Sequence, residues 1–125
     1  MITRRCSPGP RCCAAVDAVL AGEARNAFLA MRPPGHHAER ARAMGFCVFS
    51  TVALGALRAL DHHGLDRVAV LDFDVHHGNG TQDLLWNEAR ARFASTHQSP
   101  LYPRTGAASE RGAHCQIVNA PLPSG

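Results

Sequence analysis

The stretch "VAVLDFDVHHGNGT", residues 68–81, constrains this chain more than any other part of it. Four apolar residues, Val68 to Leu71, run into two carboxylates and two histidines, and a Gly-Asn-Gly turn follows. A short apolar run bounded by turn residues reads as a strand, here over 67–74, apolar on both faces as a parallel sheet requires. Open parallel α/β sheets bind their ligands outside the carboxyl ends of the strands. Alternate side chains of a strand share a face, so Asp72, Asp74 and His76 point the same way if the extended geometry persists. A carboxylate and an imidazole two residues apart suit a divalent metal with mixed oxygen and nitrogen ligands, zinc first. The alternative is that Asp74 caps the next helix and His76 is a loop residue. For an isolated pair that alternative would hold, but three polar residues in register at a strand end favour a site.

The rest of the chain supplies the other layers of an α/β fold. Residues 1–10, with two prolines and a glycine, read as an irregular lead-in to a single domain over 11–125. Residues 11–21 predict a short helix through Val16, Val19 and Leu20, stopped by Gly22. The segment "NAFLAM" (26–31) predicts a short buried strand ended by Pro33 and Pro34. Between Phe46 and His62, Phe49, Val52, Ala53, Ala56, Leu57 and Leu60 recur at helical spacing, and Gly64 follows as a stop. A helix over 81–87 and strands over 92–96 and 116–122 complete an alternating pattern, the signature of a parallel sheet.

Composition narrows the class. The arginines are mostly single and scattered, so a net charge of +3 argues for no nucleic-acid partner. No apolar run approaches the roughly 20 residues of a membrane helix, and no apolar segment follows the basic start as a secretory signal would. Cys6, Cys12, Cys13, Cys47 and Cys115 contain no C-x-x-C pair, and reduced thiols in a cytoplasmic protein are the expectation.

A second cluster lies in "RPPGHHAE", residues 32–39. Adjacent residues of an extended chain point to opposite faces, so His36 and His37 can meet one ligand only in a loop of unusual shape. The Pro-Pro-Gly lead-in is one way to build such a loop, and a solvent-exposed loop with two incidental histidines is the other reading of this segment.

Taken in order, "RPPGHHAE", "MGFCVFS", "LDFDVHHGNGTQDLLW" and "STHQSPLYPRTG" resemble the histone deacetylase superfamily, and most closely its bacterial acetylpolyamine amidohydrolase-like and class II-like members. The resemblance runs from about residue 14 to the end. It implies an arginase-deacetylase-like α/β fold, present here in part, and a zinc-dependent hydrolysis of acetyl-lysine or acetylpolyamine that releases acetate. It makes Asp74 and His76 two of three zinc ligands, and His36 and His37 the catalytic pair. Asp72 then orients His36, and Asn79 orients His37 without adding charge. Phe46 and Tyr102 become walls of the substrate channel, and Gly45 offers a backbone carbonyl to the substrate amide. Main-chain oxygens of Asp72, Asp74 and His76, with Ser95, resemble the family's inner potassium site.

This sequence departs from the family pattern in three ways. Ser50-Thr51 replace an Asn-Asn pair, and Arg104 stands where glycine is usual. The family's last zinc-binding aspartate and its carbonyl-polarising tyrosine have no counterpart in the sequence, which reads as a central and by itself inactive piece of a deacetylase. Two other readings are a non-catalytic or pseudo-enzyme fragment and a two-manganese ureohydrolase of the arginase fold. The ureohydrolase ranks last, because Gly78 follows His76-His77 where a D-A-H-x-D run would place another acid.

Overall fold

A computed structural model of the chain describes residues 8–125. In chain order the elements are α1 (Pro8–Leu20), α2 (Thr51–Asp61), β1 (Val68–Asp72), α3 (Asn79–Leu85), β2 (Ala91–Gln98) and β3 (Ile117–Leu122). The three strands form one parallel sheet in the order β1-β2-β3, with Asp72 opposite Ser95 and Ser95 opposite Asn119. The core is one cluster: Ala53 and Leu60 from α2, Leu85 from α3, Ala91 and Phe93 from β2, and Ile117 from β3. Leu57, Val68, Val70 and Leu84 pack around it. Helix α1 lies against α2, where the absence of a side chain at Gly55 admits Cys12 Sγ. Asp17 fastens that pair by accepting hydrogen bonds from Arg58 Nε and Nη2 and pairing with His63 Nε2, which together hold its carboxyl down at about 2.

Several sequence expectations are corrected. Helix α1 begins at Pro8, inside the expected irregular lead-in, whose first seven residues lie outside the described chain. Residues 26–31 form no strand, and Phe28 is 92% exposed; an apolar run without a neighbouring strand to pair with is not a strand. Helix α2 starts at Thr51 and not at Phe46, because Gly45 and Phe46 both take left-handed φ (56° and 60°) in a tight turn. Phe49, Val52 and Leu20, expected on inward faces, are exposed. Helix α3 starts earlier than expected, at Asn79, and β1 ends at Asp72. The expected helix stops hold, with Gly22 and Gly64 at φ 76° and 69°.

The sheet also differs from a strand layer buried on both faces. The residues of α2 and α3 in the core cover one face, so β1 alternates between half-buried Val68, Val70 and Asp72 and exposed Ala69 and Leu71. Among the described residues nothing covers the other face, where Leu71 is 66% exposed. Phe73, just past the strand, is 81% exposed. No helix among the described residues is long and apolar enough to cross a membrane. Cys12, Cys13, Cys47 and Cys115 are free thiols.

Candidate active site

The two histidine clusters come together at the carboxyl end of β1. The segment 32–38 is seated by Gly35, where a Cβ would lie 2.6 Å from Thr51 Oγ1 and 2.8 Å from the Thr51 amide nitrogen. Its other anchor is α3. The amides of Gly80 and Thr81 donate to the His36 carbonyl at 2.8 and 3.1 Å. The first N–H groups of a helix lack partners within it, so the chain carrying the tandem histidines satisfies two that would otherwise need water. Gly80 permits this approach, since any side chain there would overlap the backbone of Ala38.

A turn closed by the Ala38 amide on the Gly35 carbonyl (3.1 Å) stops His36 and His37 from diverging, and their ring centroids are 4.0 Å apart. Each has a distinct partner. His36 Nδ1 is 2.9 Å from Asp72 Oδ2, and His37 Nδ1 is 2.8 Å from Asn79 Oδ1. Asp72 and Asn79, the two residues expected beside these rings, are thus in contact with them. Burial disfavours the charged form of His36, but the bond to Asp72 and the field of Asp72 and Asp74 outweigh it, so its pKa is raised. Burial also works on His37, and the neighbouring imidazoles of His36 and His76 add to it against the Asn79 bond, so its pKa is lowered.

Past β1 the chain bends, and the expected extended register of Asp72, Asp74 and His76 gives way to two side-chain-to-backbone turns. Asp72 Oδ1 accepts from the Asp74 amide at 3.1 Å, and Asp74 Oδ1 accepts from the His76 amide at 2.8 Å. The result still gathers the residues: Asp74, His76, His36 and His37 line one pocket of about 520 Å³ with Pro34, Gly45, Phe46 and Tyr102. Asp74 Oδ1 and His76 Nδ1 are 3.1 Å apart, near the roughly 3.3 Å that bonds of about 2.0–2.1 Å to a tetrahedral zinc impose on two ligands. Burial raises the Asp74 pKa, but the His76 amide, His36 and the His76 side chain together lower it, as a metal ligand requires. Among the described residues no group of three His, Cys, Asp or Glu side chains could hold a metal, so the pair fits as part of a donor set.

The walls are held in two ways. The Cys47 amide donates to the Met44 carbonyl (2.8 Å), closing the turn that lifts Phe46 out to 94% exposure. A non-glycine residue at positive φ costs roughly 1–2 kcal/mol, and such strain gathers at functional sites. Gly45 lies so close to the His37 ring that a side chain there would overlap it, and its carbonyl accepts from Cys47 Sγ at 3.3 Å. Tyr102 stands edge-on to His37, with ring centroids 5.0 Å apart.

Sequence reasoning missed the supports behind these residues. Glu39 Oε1 accepts from Asn79 Nδ2 at 2.6 Å, and the amide of His37 donates to Cys47 Sγ at 3.4 Å. A second, buried histidine pair, His77 and His97, holds the loop that carries Tyr102. His77 Nδ1 meets Thr105 Oγ1 at 2.7 Å, and His97 Nε2 meets the Gly106 carbonyl at 3.1 Å. Buried Ser95, opposite Asp72 in the neighbouring strand, directs its hydroxyl to His97 Nδ1 at 3.0 Å. The doubled histidines at 36–37 and 76–77 were a usable signal for His77, but nothing local marks Glu39 or His97.

Comparisons with known proteins bear on the family and the fold. The histone deacetylase domain family matches residues 9–125. The chain is 50% identical over 110 residues to an uncharacterised protein of Synechocystis, covering 88% of this chain and 36% of that protein. It is 46% identical over 114 residues to a probable deacetylase of Archaeoglobus fulgidus, covering 89% of this chain and 32% of that protein. Among solved structures, the HDA15 HD domain superposes with a TM-score of 0.86 at 38% identity, over 91% of this chain and 35% of that one. The chain thus spans about a third of the length of these relatives.

Proposed function

The chain belongs to the histone deacetylase domain family, and from that premise we propose that it forms the histidine half of a zinc-dependent deacetylase active site acting on acetyl-lysine or acetylpolyamine. The observation that carries this reading is the unequal histidine pair beside Asp74 and His76. With Nδ1 of each ring engaged, Nε2 of each is the nitrogen left for the pocket. His37, its pKa lowered by burial, is neutral near pH 7 and suited to take a proton from water and return it to the leaving amine. His36, its pKa raised, keeps a positive charge to higher pH and steadies negative charge developing nearby. Asp74 and His76, with a third ligand from outside the described residues, would hold zinc, which when bound supplies a Lewis acid and an acidified water. Phe46 and Tyr102 present aromatic surfaces suited to the aliphatic stem of an acyl-lysine or polyamine.

Potassium bound by main-chain oxygens of Asp72, Asp74 and His76 with Ser95, and a cytoplasmic location, belong to the same proposal. The match over residues 9–125 favours a deacetylase over the ureohydrolase alternative. The test is a chimera in which this chain replaces the matching segment of the Archaeoglobus fulgidus relative, assayed on acetyl-lysine peptide and acetylated polyamine. Zinc-dependent release of acetate that is lost in His37→Ala supports the reading, and a folded, zinc-loaded chimera without turnover refutes it.

A further inference from the structure

Asn79 stands between two groups of different hydrogen-bonding character. Its Oδ1 lies 2.8 Å from His37 Nδ1, and its Nδ2 donates to Glu39 Oε1 at 2.6 Å, with Met44 Sδ at 3.3 Å from the same nitrogen. The two ends of an asparagine amide are nearly the same size, so sterics alone would let either face the imidazole. The choice decides the chemistry. With oxygen toward the ring, Nδ1 of His37 carries the proton and Nε2 is a free base. With nitrogen toward the ring, Nδ1 must accept, the proton moves to Nε2, and the base is lost.

An ionised carboxylate only accepts hydrogen bonds, so Glu39 admits one orientation of the Asn79 amide. We propose that Glu39 is a positioning residue that, through Asn79, fixes the tautomer of His37; the inference rests on the reading of His37 as the general base. The segment that bears Glu39 is itself held. Its amide donates to the Arg42 carbonyl at 3.0 Å, and neighbouring Ala38 is packed against Gly80 with no room for a side chain between them. Glu39 and Asn79 therefore ride on two segments pinned to each other, and a charge-assisted hydrogen bond joins them. Asn79 itself adds no charge beside His37, and a carboxylate stands one hydrogen bond further back.

Nitrogen-15 NMR of labelled histidine separates the two neutral tautomers and reads the proposal independently of turnover. Spectra are taken on this chain and on the Archaeoglobus fulgidus chimera, at a pH where His37 is neutral. The parent should show His37 protonated on Nδ1, Glu39→Ala a large Nε2–H population, and Glu39→Gln an intermediate one, because a glutamine amide can face either way. In the chimera, Glu39→Ala should lower kcat roughly ten-fold with KM unchanged, the usual effect of losing a group that orients a functional side chain. Adding Asn79→Asp should restore kcat in the Glu39→Ala background, since an aspartate also presents only acceptors to the ring. The same substitution with Glu39 retained sets two carboxylates against each other and should lower turnover. A role for Glu39 in packing alone would not be relieved by Asn79→Asp. An unchanged Nδ1–H tautomer in Glu39→Ala, or a double variant as impaired as the single one, overturns the proposal. Near-normal turnover in His37→Ala overturns the base assignment instead, and the tautomer spectra still decide the role of Glu39.

Discussion

Nδ1 of His36 lies 2.9 Å from a carboxylate oxygen of Asp72, whereas Nδ1 of the adjacent His37 lies 2.8 Å from an amide oxygen of Asn79. Two neighbouring imidazoles thus titrate apart. In the metal-free protein, NMR titration should place the His36 midpoint above 6.5 and that of His37 below it. Because the folded-state pKa of His36 is raised, the stability it contributes is fully present below 6.5 and is lost as pH rises through the raised midpoint. Asp72→Asn should lower that midpoint and remove the pH-dependent increment. A midpoint unchanged in Asp72→Asn would show that the carboxylate does not set it.

Metal binding and proton transfer should separate by mutation. In the chimera, Asp74→Asn or His76→Ala should abolish zinc binding and turnover together, since losing one ligand changes both coordination number and charge. His37→Ala should leave zinc bound while reducing turnover by about two to four orders of magnitude, the range for a general acid–base group. Metal analysis beside initial rates checks both. Stoichiometric zinc in Asp74→Asn and His76→Ala would remove them from the ligand set.

Arg104 takes φ 68°, with its amide donating to the Leu101 carbonyl at 2.8 Å. The resemblance to deacetylases marked this position as one where glycine is usual, and the backbone supplies the reason. Arg104→Gly removes roughly 1–2 kcal/mol of left-handed strain, less the added freedom of glycine in the unfolded chain, about 0.4–1 kcal/mol. A net gain of up to about 1.6 kcal/mol should appear in urea unfolding as a higher midpoint at constant m. A lower midpoint would mean that the exposed Arg104 side chain contributes more than its backbone costs.

The isolated 125-residue polypeptide should bind zinc weakly and hydrolyse neither acetyl-lysine nor acetylpolyamine. Asp74 and His76 supply two donors where catalytic zinc sites use three protein ligands. Incubation with zinc and either substrate checks this. Chelator-sensitive turnover that vanishes in His37→Ala would show that a third ligand comes from elsewhere, such as a second copy of the chain.

What could be read in advance depended on whether the cause was local. The parallel α/β pattern and the end of α2 before Gly64 follow from periodicity and turn residues, whereas the grouping of His36, His37, Asp74 and His76 is implied only by the resemblance to deacetylase motifs. The segment 26–31 failed because an apolar run becomes a strand only beside another strand, which sequence spacing does not report. The start of α2 was missed because Phe46, a residue that ordinarily avoids positive φ, occupies the turn ahead of it. Glu39 and Thr105 were invisible for a third reason. Each acts on a residue far along the chain, so its role exists only once the fold does.

The hydrogen bonds from Gly80 and Thr81 to the His36 carbonyl have a kinetic consequence. They and the His37–Asn79 bond, which spans 42 positions, join parts of the chain that are remote in sequence. Closing so long a loop is entropically unfavourable until many other contacts have formed, so these bonds belong to the late stage of folding. The unequal pair arises as one of the last events of folding, and exchange protection at the Gly80 and Thr81 amides would time its arrival.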